Sequence, residues 1–177
     1  MTDELLDIVN DNDEVIAQAM RSSVHEGGFL HRGVHAFLFD RQGRLLVQKR
    51  SARRAQYPSV WDCSVSEHVK ASESYHRAIQ RGMLEELGVA GVEVRPLVRF
   101  RMEYGHNDHE ISTLFEGAVD PVMVTFDTGE IAQVEYHSLA ELRAFLENGE
   151  RPFSHWFEQL LRWTLHEPSV LQVLEIY

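Results

Sequence analysis

The succession of hydrophobic periods along the chain predicts an α+β fold, an α/β/α sandwich around a mixed β-sheet. Three observations carry the prediction. Strand-like segments fill the first 70 residues, one amphipathic helical segment follows at Ser72 to Leu87, and strands resume before two helical segments near the end. That order is not regular βαβ alternation, so an all-parallel sheet is excluded. The 177 residues, 44% of them hydrophobic, suit one domain with a real core, so residues 1–177 are read as a single unit.

Each element has a local reason. Leu5 to Val9 and Glu14 to Ala19 flank Asn10-Asp11-Asn12-Asp13, residues that tolerate left-handed turns, which predicts an N-terminal hairpin over about 5–19. Val34 to Phe39 and Leu45 to Val47 flank Arg41-Gln42-Gly43-Arg44 and read as a second, more buried hairpin. The basic stretch Ser51 to Ser59 reads as a loop, and Trp61 to Val69 as a strand. For the central helix, Ser72 is the expected N-cap and Gly88 the expected stop. Val92 to Glu103 and Ile111 to Val119 read as long antiparallel strands joined by a polar loop, Tyr104 to Glu110. Ala132 to His137 is a shorter strand. Ser138 precedes Glu141 by three residues, a capping box that opens the first of two C-terminal helices, over about 138–166.

Composition narrows the function. Seventeen Lys+Arg against 28 Asp+Glu give a formal charge of -11, a field that repels phosphate backbones and anionic headgroups. Neither a nucleic-acid polymer nor a membrane is therefore an expected partner, while a homodimer is compatible with the sequence. The one cysteine, Cys63, cannot form an intramolecular disulfide, and the opening Met1-Thr2-Asp3-Glu4 lacks a basic or apolar leader region. The expectation is a reduced, cytoplasmic setting. An acidic protein that handles anions needs a divalent cation held by carboxylates, and the central helix offers them. At 100° per residue, Gly82, Glu85 and Glu86 fall in one sector beside the apolar Ile79, Met83 and Leu87, while Glu73, Arg77, Arg81 and Glu85 form an i,i+4 ladder.

Glu73, Arg81, Met83, Glu85-Glu86 and Gly88-Val89 resemble the Nudix box, G-x5-E-x7-R-E-U-x-E-E-x-G-U, with U a bulky aliphatic. The resemblance implies a diphosphate-handling enzyme with Mg2+ or Mn2+ as cofactor, a small-molecule diphosphate as partner, and Glu85 and Glu86 on the metal. Glu73, Arg81 and Gly88 would be the structural residues of the box. The runs HEGGFLHRGVHAFLF, LLVQKRS, VWDCSVSEHVKASES and Phe153 to Phe157 extend the resemblance to the branch related to isopentenyl-diphosphate isomerase. From that branch come a second expected metal site, His25, His31, His68, Asp108 and Glu110, suited to Mn2+ or Zn2+, and a substrate wall of Tyr104 and Trp156.

Two positions depart from the box. Glu67 stands at its first glycine and Gly82 at the glutamate after arginine. The expectation is that Glu67, in the loop before the helix, supplies the missing carboxylate, with the backbone carbonyl of Ser66 beside it. Glu86, Glu110 and Glu67 are the candidate catalytic groups. The isomerase acid/base cysteine would stand where this chain has Ser66, and a hydroxyl cannot replace a thiol in protonating an alkene. Cys63 would lie about 10 Å away, three residues along a strand, as a small core residue. His35, His137 and His166 read as structural. Arg53 and Arg54, in the basic loop, are expected to grip phosphate. The leading expectation is a metal-dependent hydrolase cleaving a diphosphate linkage in a nucleoside diphosphate derivative or related organic diphosphate. A non-catalytic diphosphate-binding or regulatory module is the alternative, and isopentenyl-diphosphate isomerisation a weaker one.

Overall fold

A computed structural model describes residues 3–177. Its centre is an eight-stranded mixed sheet comprising β3 (His31–Phe39), β4 (Leu45–Arg50), β5 (Trp61–Asp62), β6 (Val65–His68), β7 (Val94–Gly105), β8 (Asp108–Ala118), β9 (Ile131–His137) and β10 (Gln172–Ile176). The path runs β10-β7-β8-β3-β4-β5, with β6 added to β3 and β9 to β4. β3 and β8 pair in parallel from His31↔Glu110 to Phe39↔Ala118, and the other pairings are antiparallel.

Alternation along β3 builds two cores on opposite faces of the sheet. Val34, Ala36 and Leu38 pack with Ala78, Ile79, Met83 and Leu87 of α2 (Tyr75–Leu87). Phe37 packs on the other side with Trp156, Phe157, Leu160 and Leu161 of α4 (His155–Thr164) and with Leu142 of α3 (Leu139–Asn148). The α/β/α sandwich is thus realised. β1 (Leu5–Val9), β2 (Val15–Met20) and α1 (Arg21–Gly27) make a satellite unit around Leu6, Ile8 and Val24.

Several expected boundaries move. Ser74, not Ser72, caps α2, its hydroxyl accepting from the Arg77 amide, while Ser72 sits at φ +63° in the turn before it. β3 and β4 are joined by the expected turn but meet only at Phe39↔Leu45, because β6 and β9 claim their remaining edges. The Trp61 to Val69 strand breaks at Cys63-Ser64, where the Ser64 hydroxyl caps the Leu38 amide and donates to the Leu46 carbonyl. The loop expected at Tyr104 to Glu110 is a two-residue turn, His106-Asn107, so Tyr104 and Glu110 both lie in strands. The capping box at Ser138 and Glu141 and the stop at Gly88 form as expected.

Candidate active site

The parallel register of β3 and β8 sets His31 opposite Glu110, and the β3–β6 ladder sets Gly33 opposite His68. α1 brings His25 over them. The three imidazole centroids lie 4.9, 5.2 and 5.3 Å apart. His25 Nδ1 and His31 Nε2 stand 3.6 and 3.8 Å from Asp108 Oδ1, while His31 Nε2 and His68 Nε2 stand 3.6 and 3.5 Å from Glu110 Oε1. These separations exceed hydrogen-bond length. His25 Nε2, His31 Nε2 and Asp108 Oδ1 are buried without any hydrogen-bond partner, which is costly unless something else is held between such groups. His31 Nδ1 lies 2.9 Å from the Phe29 carbonyl, an acceptor only, so the ring proton belongs on Nδ1 and the Nε2 lone pair faces the cluster. Three imidazoles and two carboxylates within this space form a donor set that fits a divalent transition ion.

The electrostatics agree. Burial pushes His31 down to about 4 and His68 well below the usual histidine range, and it lowers His25. Burial, reinforced by Asp108, raises Glu110 to about 8, and burial also raises Asp108. Burial thus favours neutral imidazoles, whose lone pairs a divalent cation would accept, and a cation would also offset the desolvation of the two carboxylates. Glu110 is held from behind: Tyr104 donates to Ser112 Oγ at 2.9 Å, and Ser112 donates to Glu110 Oε2 at 2.8 Å. His35 Nε2, 2.8 Å from the Tyr104 hydroxyl, completes the run as a donor. Gly33 makes room for this arrangement, since a Cβ there would fall 1.9 Å from Glu110 Oε2.

The box carboxylates form a second centre on the α2 side of β6. Arg81 spends all five N–H donors: two on Glu73, one each on Glu67 Oε2 and Glu85 Oε2, and one on the His68 carbonyl. Arg77 does not join the expected ladder. Glu86 is buried, accepting from Gln48 Nε2 at 2.6 Å and the Ser66 amide at 3.2 Å. Burial, then the neighbouring charge of Glu67, raises Glu86 well above the usual carboxylate range, and burial raises Glu67 in spite of Arg81. Glu67 is on β6, not in a loop, and its side chain lies across Gly82. Glu85 is half-exposed and lines the same cleft as Glu67, Ser66, His68, Asp108 and Glu110.

That cleft has a volume of about 250 Å³, with Tyr104 and Trp156 in its wall as expected. Trp156 is also a structural residue, donating from Nε1 to Asp62 at 2.6 Å. The basic rim differs from expectation. Arg53 is exposed and does not line the cleft; Arg54 does, while pairing with Glu130 at 2.9 Å. Arg21 and Arg50 join it. Arg50 is buried and committed to Asp62 and the carbonyls of Gln56 and Tyr57. Arg21 has no ion-pair partner among the described residues and faces both this cleft and an adjoining hollow. It stands four residues before His25 in α1, a spacing that puts both on one helix face, so the signal was present once a helix was suspected. Gln48 carried none. Cys63 is a core residue: burial, then Asp62, raises its thiol, which donates to the Val65 carbonyl 3.2 Å away, and it is absent from the cleft wall.

The comparisons with known proteins fit this architecture. The NUDIX domain family matches residues 29–157. An uncharacterised Nudix hydrolase of Streptomyces coelicolor is 35% identical over 157 residues, 84% of this chain and 82% of that one. Isopentenyl-diphosphate Delta-isomerase 2 of Photorhabdus laumondii is 28% identical over 166 residues, covering 90% and 91%. Among solved structures, DR0079 from Deinococcus radiodurans superposes with a TM-score of 0.77 at 28% identity, over 90% of this chain and 98% of that one. The chain belongs to the Nudix family, in a branch similar to the isopentenyl-diphosphate isomerases. That membership, with hydrolase relatives, supports an enzyme of the pyrophosphohydrolase class.

Proposed function

We propose that this protein is a divalent-metal-dependent hydrolase that cleaves a diphosphate linkage in a nucleoside diphosphate derivative or related organic diphosphate. The observation that carries the reading is the convergence of Glu67 and Glu85 with His68, Asp108 and Glu110 on one cleft that Arg21 and Arg54 also line, with Glu86 buried behind Ser66 of the same wall. Glu85, Glu86, Glu67 and the Ser66 carbonyl would hold Mg2+ or Mn2+, and His25, His31, His68, Asp108 and Glu110 a second ion such as Mn2+ or Zn2+. When bound, such an ion neutralises the diphosphate and activates the phosphorus toward water. Arg21 and Arg54 bind the anion by charge-assisted contacts. Tyr104 and Trp156 border the reacting end and exclude bulk water from it. A glutamate takes the proton of the attacking water; Glu86, Glu110 and Glu67 are the candidates, since they stand on or beside the cleft and a bound cation would keep such carboxylates ionised.

Isomerisation is the second reading, favoured by relatives that bear the isomerase name. Against it stands Ser66 at the acid/base position, with the only thiol buried outside the cleft wall. Incubation with Mg2+ or Mn2+ and a panel of nucleotide sugars, nucleoside di- and triphosphates and isoprenoid diphosphates, with products identified by mass and by proton resonance of the alkene, separates the readings. Hydrolytic products support the proposal. Binding without product indicates a diphosphate-binding module, and an unchanged mass with a moved double bond indicates an isomerase.

A further inference from the structure

Gly82 is buried in the middle of α2, where a glycine weakens a helix and alanine would ordinarily be preferred. Its φ is not in the left-handed region, so the backbone does not demand it. What demands it is space. A Cβ at position 82 would stand 2.8 Å from Glu67 Cγ and 2.7 Å from Val65 Cγ1, both closer than real Cβ contacts come. Neither atom yields cheaply, because Val65 is fully buried and Glu67 Cγ is mid-chain, its carboxylate tied to Arg81 at 3.1 Å.

Position 82 is also one helical turn before Glu86, on the same face. A glutamate there would put a carboxylate beside that of Glu86, against β6. Glu67 arrives over that very position from β6, and the amide of the residue before it, Ser66, donates to Glu86 Oε1 at 3.2 Å. We infer that Glu67 and Gly82 are one exchanged unit, in which the strand delivers a metal-binding carboxylate over a glycine that the helix keeps empty for it. The inference rests on the carboxylate metal site proposed above and adds the residue that makes room for its third member, Glu67. It makes Gly82 a positioning residue, since it touches no ligand and acts by leaving Glu67, and Val65 beside it on β6, their places.

The test is Mn2+ binding to the full, metal-stripped chain, followed by loss of the free-ion electron paramagnetic resonance signal, with thermal unfolding run in parallel. The histidine cluster also takes Mn2+, so the class of sites scored is the one lost in Glu86→Gln. Glu67→Gln should weaken that class by roughly 10- to 100-fold or more, on the scale of altering groups around a metal. Gly82→Ala should weaken it comparably although it removes no donor atom, and Glu67→Gln with Gly82→Ala should be no worse than Glu67→Gln alone. Glu67→Gly with Gly82→Glu, which moves the carboxylate to the helix, should restore binding to within about threefold of wild type once Val65→Ala also removes the methyl 2.7 Å from a Cβ at position 82. An unchanged affinity in Glu67→Gln, or additive losses in the alanine double variant, would overturn the exchange. If Glu86→Gln and Glu85→Gln also leave Mn2+ binding intact, it is the carboxylate site itself that fails. Should that triple variant not fold, the alanine pair decides alone.

Discussion

Two neighbouring residues of β6, Glu67 and His68, enter two centres built on opposite principles. Around His68, the buried polar atoms face one another at 3.5–3.8 Å and several have no partner at all. Around Glu67, Arg81 and Gln48 satisfy the carboxylates already, at 2.6–3.1 Å. On the proposed reading the first centre takes a cation, which would offset the desolvation of its unpaired groups. In the second the carboxylates already hold donors, though one guanidinium does not balance their charge, so a cation must compete with Arg81 for Glu67 and Glu85. The lesson is that the histidine centre should bind tightly and respond little to its surroundings, while the carboxylate centre should bind weakly, as suits an ion that arrives with the substrate's phosphates.

The largest expected effect breaks the second centre. Glu86→Gln keeps the size but removes a charge and sets an NH2 against one of the two donors, Gln48 Nε2 and the Ser66 amide, that Glu86 now accepts from, and turnover should fall by about 100-fold or more, on the scale of losing a principal electrostatic contact. Glu85→Gln should fall with it, whereas Glu116→Gln, which loses only the exposed pair with Arg95, should be unaffected in steady-state rates.

The next effect breaks the first centre without touching a donor. Gly33→Ala drives a methyl into the Glu110 carboxylate, and the purified protein should retain far less tightly bound metal by elemental analysis; full metal content would show that Glu110 does not need its present position. His31→Gln should lose that metal as well, while leaving the weak Mg2+ response of the box carboxylates in place. The contrast between these variants and Glu86→Gln sharpens the division between a retained ion and an exchangeable one.

A smaller effect concerns the run behind Glu110. Burial holds His35 at about 4, against its ordinary 6.5. Between those values the unfolded chain binds a proton that the folded chain refuses, so this contribution to stability is complete above pH 6.5 and is lost as pH falls toward 4. His35→Phe should flatten part of the acid decline in thermal midpoint, the rest belonging to His31 and His68, which burial shifts the same way. An unchanged acid slope would place His35 in water. The smallest expected signal is an absence: solvent deuterium should not enter isopentenyl diphosphate, because Cys63 is sealed in the core and Ser66 has no thiol.

Residues whose side chains repeat at the helix or strand period were legible in the sequence. α2, with Ile79, Met83 and Leu87 inward, and α3, with its capping box, follow from local rules. What escaped did so for physical reasons. α1 is seven residues long, buries only Val24 and has no side-chain cap, so it has no period to read. β10 is exposed throughout, and its membership in the sheet depends on β7, not on its own alternation. The end of β7 and start of β8 looked like a loop because Tyr104, Asp108 and Glu110 face a polar cleft where a core strand would carry apolar groups. The box spacing located Glu85 and Glu86, and the resemblance located the histidines. Gln48 came only with the three-dimensional arrangement, and Arg21 could be read from its spacing to His25 only after α1 was known to be a helix.

The account's central claim is hydrolysis of a diphosphate by water in a metal-dependent cleft. Its most direct test is turnover in H2(18)O with Mg2+ or Mn2+, using whichever organic diphosphate of the panel reacts, with 31P resonance and mass reading the isotope in the products. The account predicts one 18O in a single phosphate product, no reaction after chelation, and formation of that labelled product about 100-fold or more slower in Glu86→Gln. Product formed without label, or at an equal rate in chelator, would contradict it.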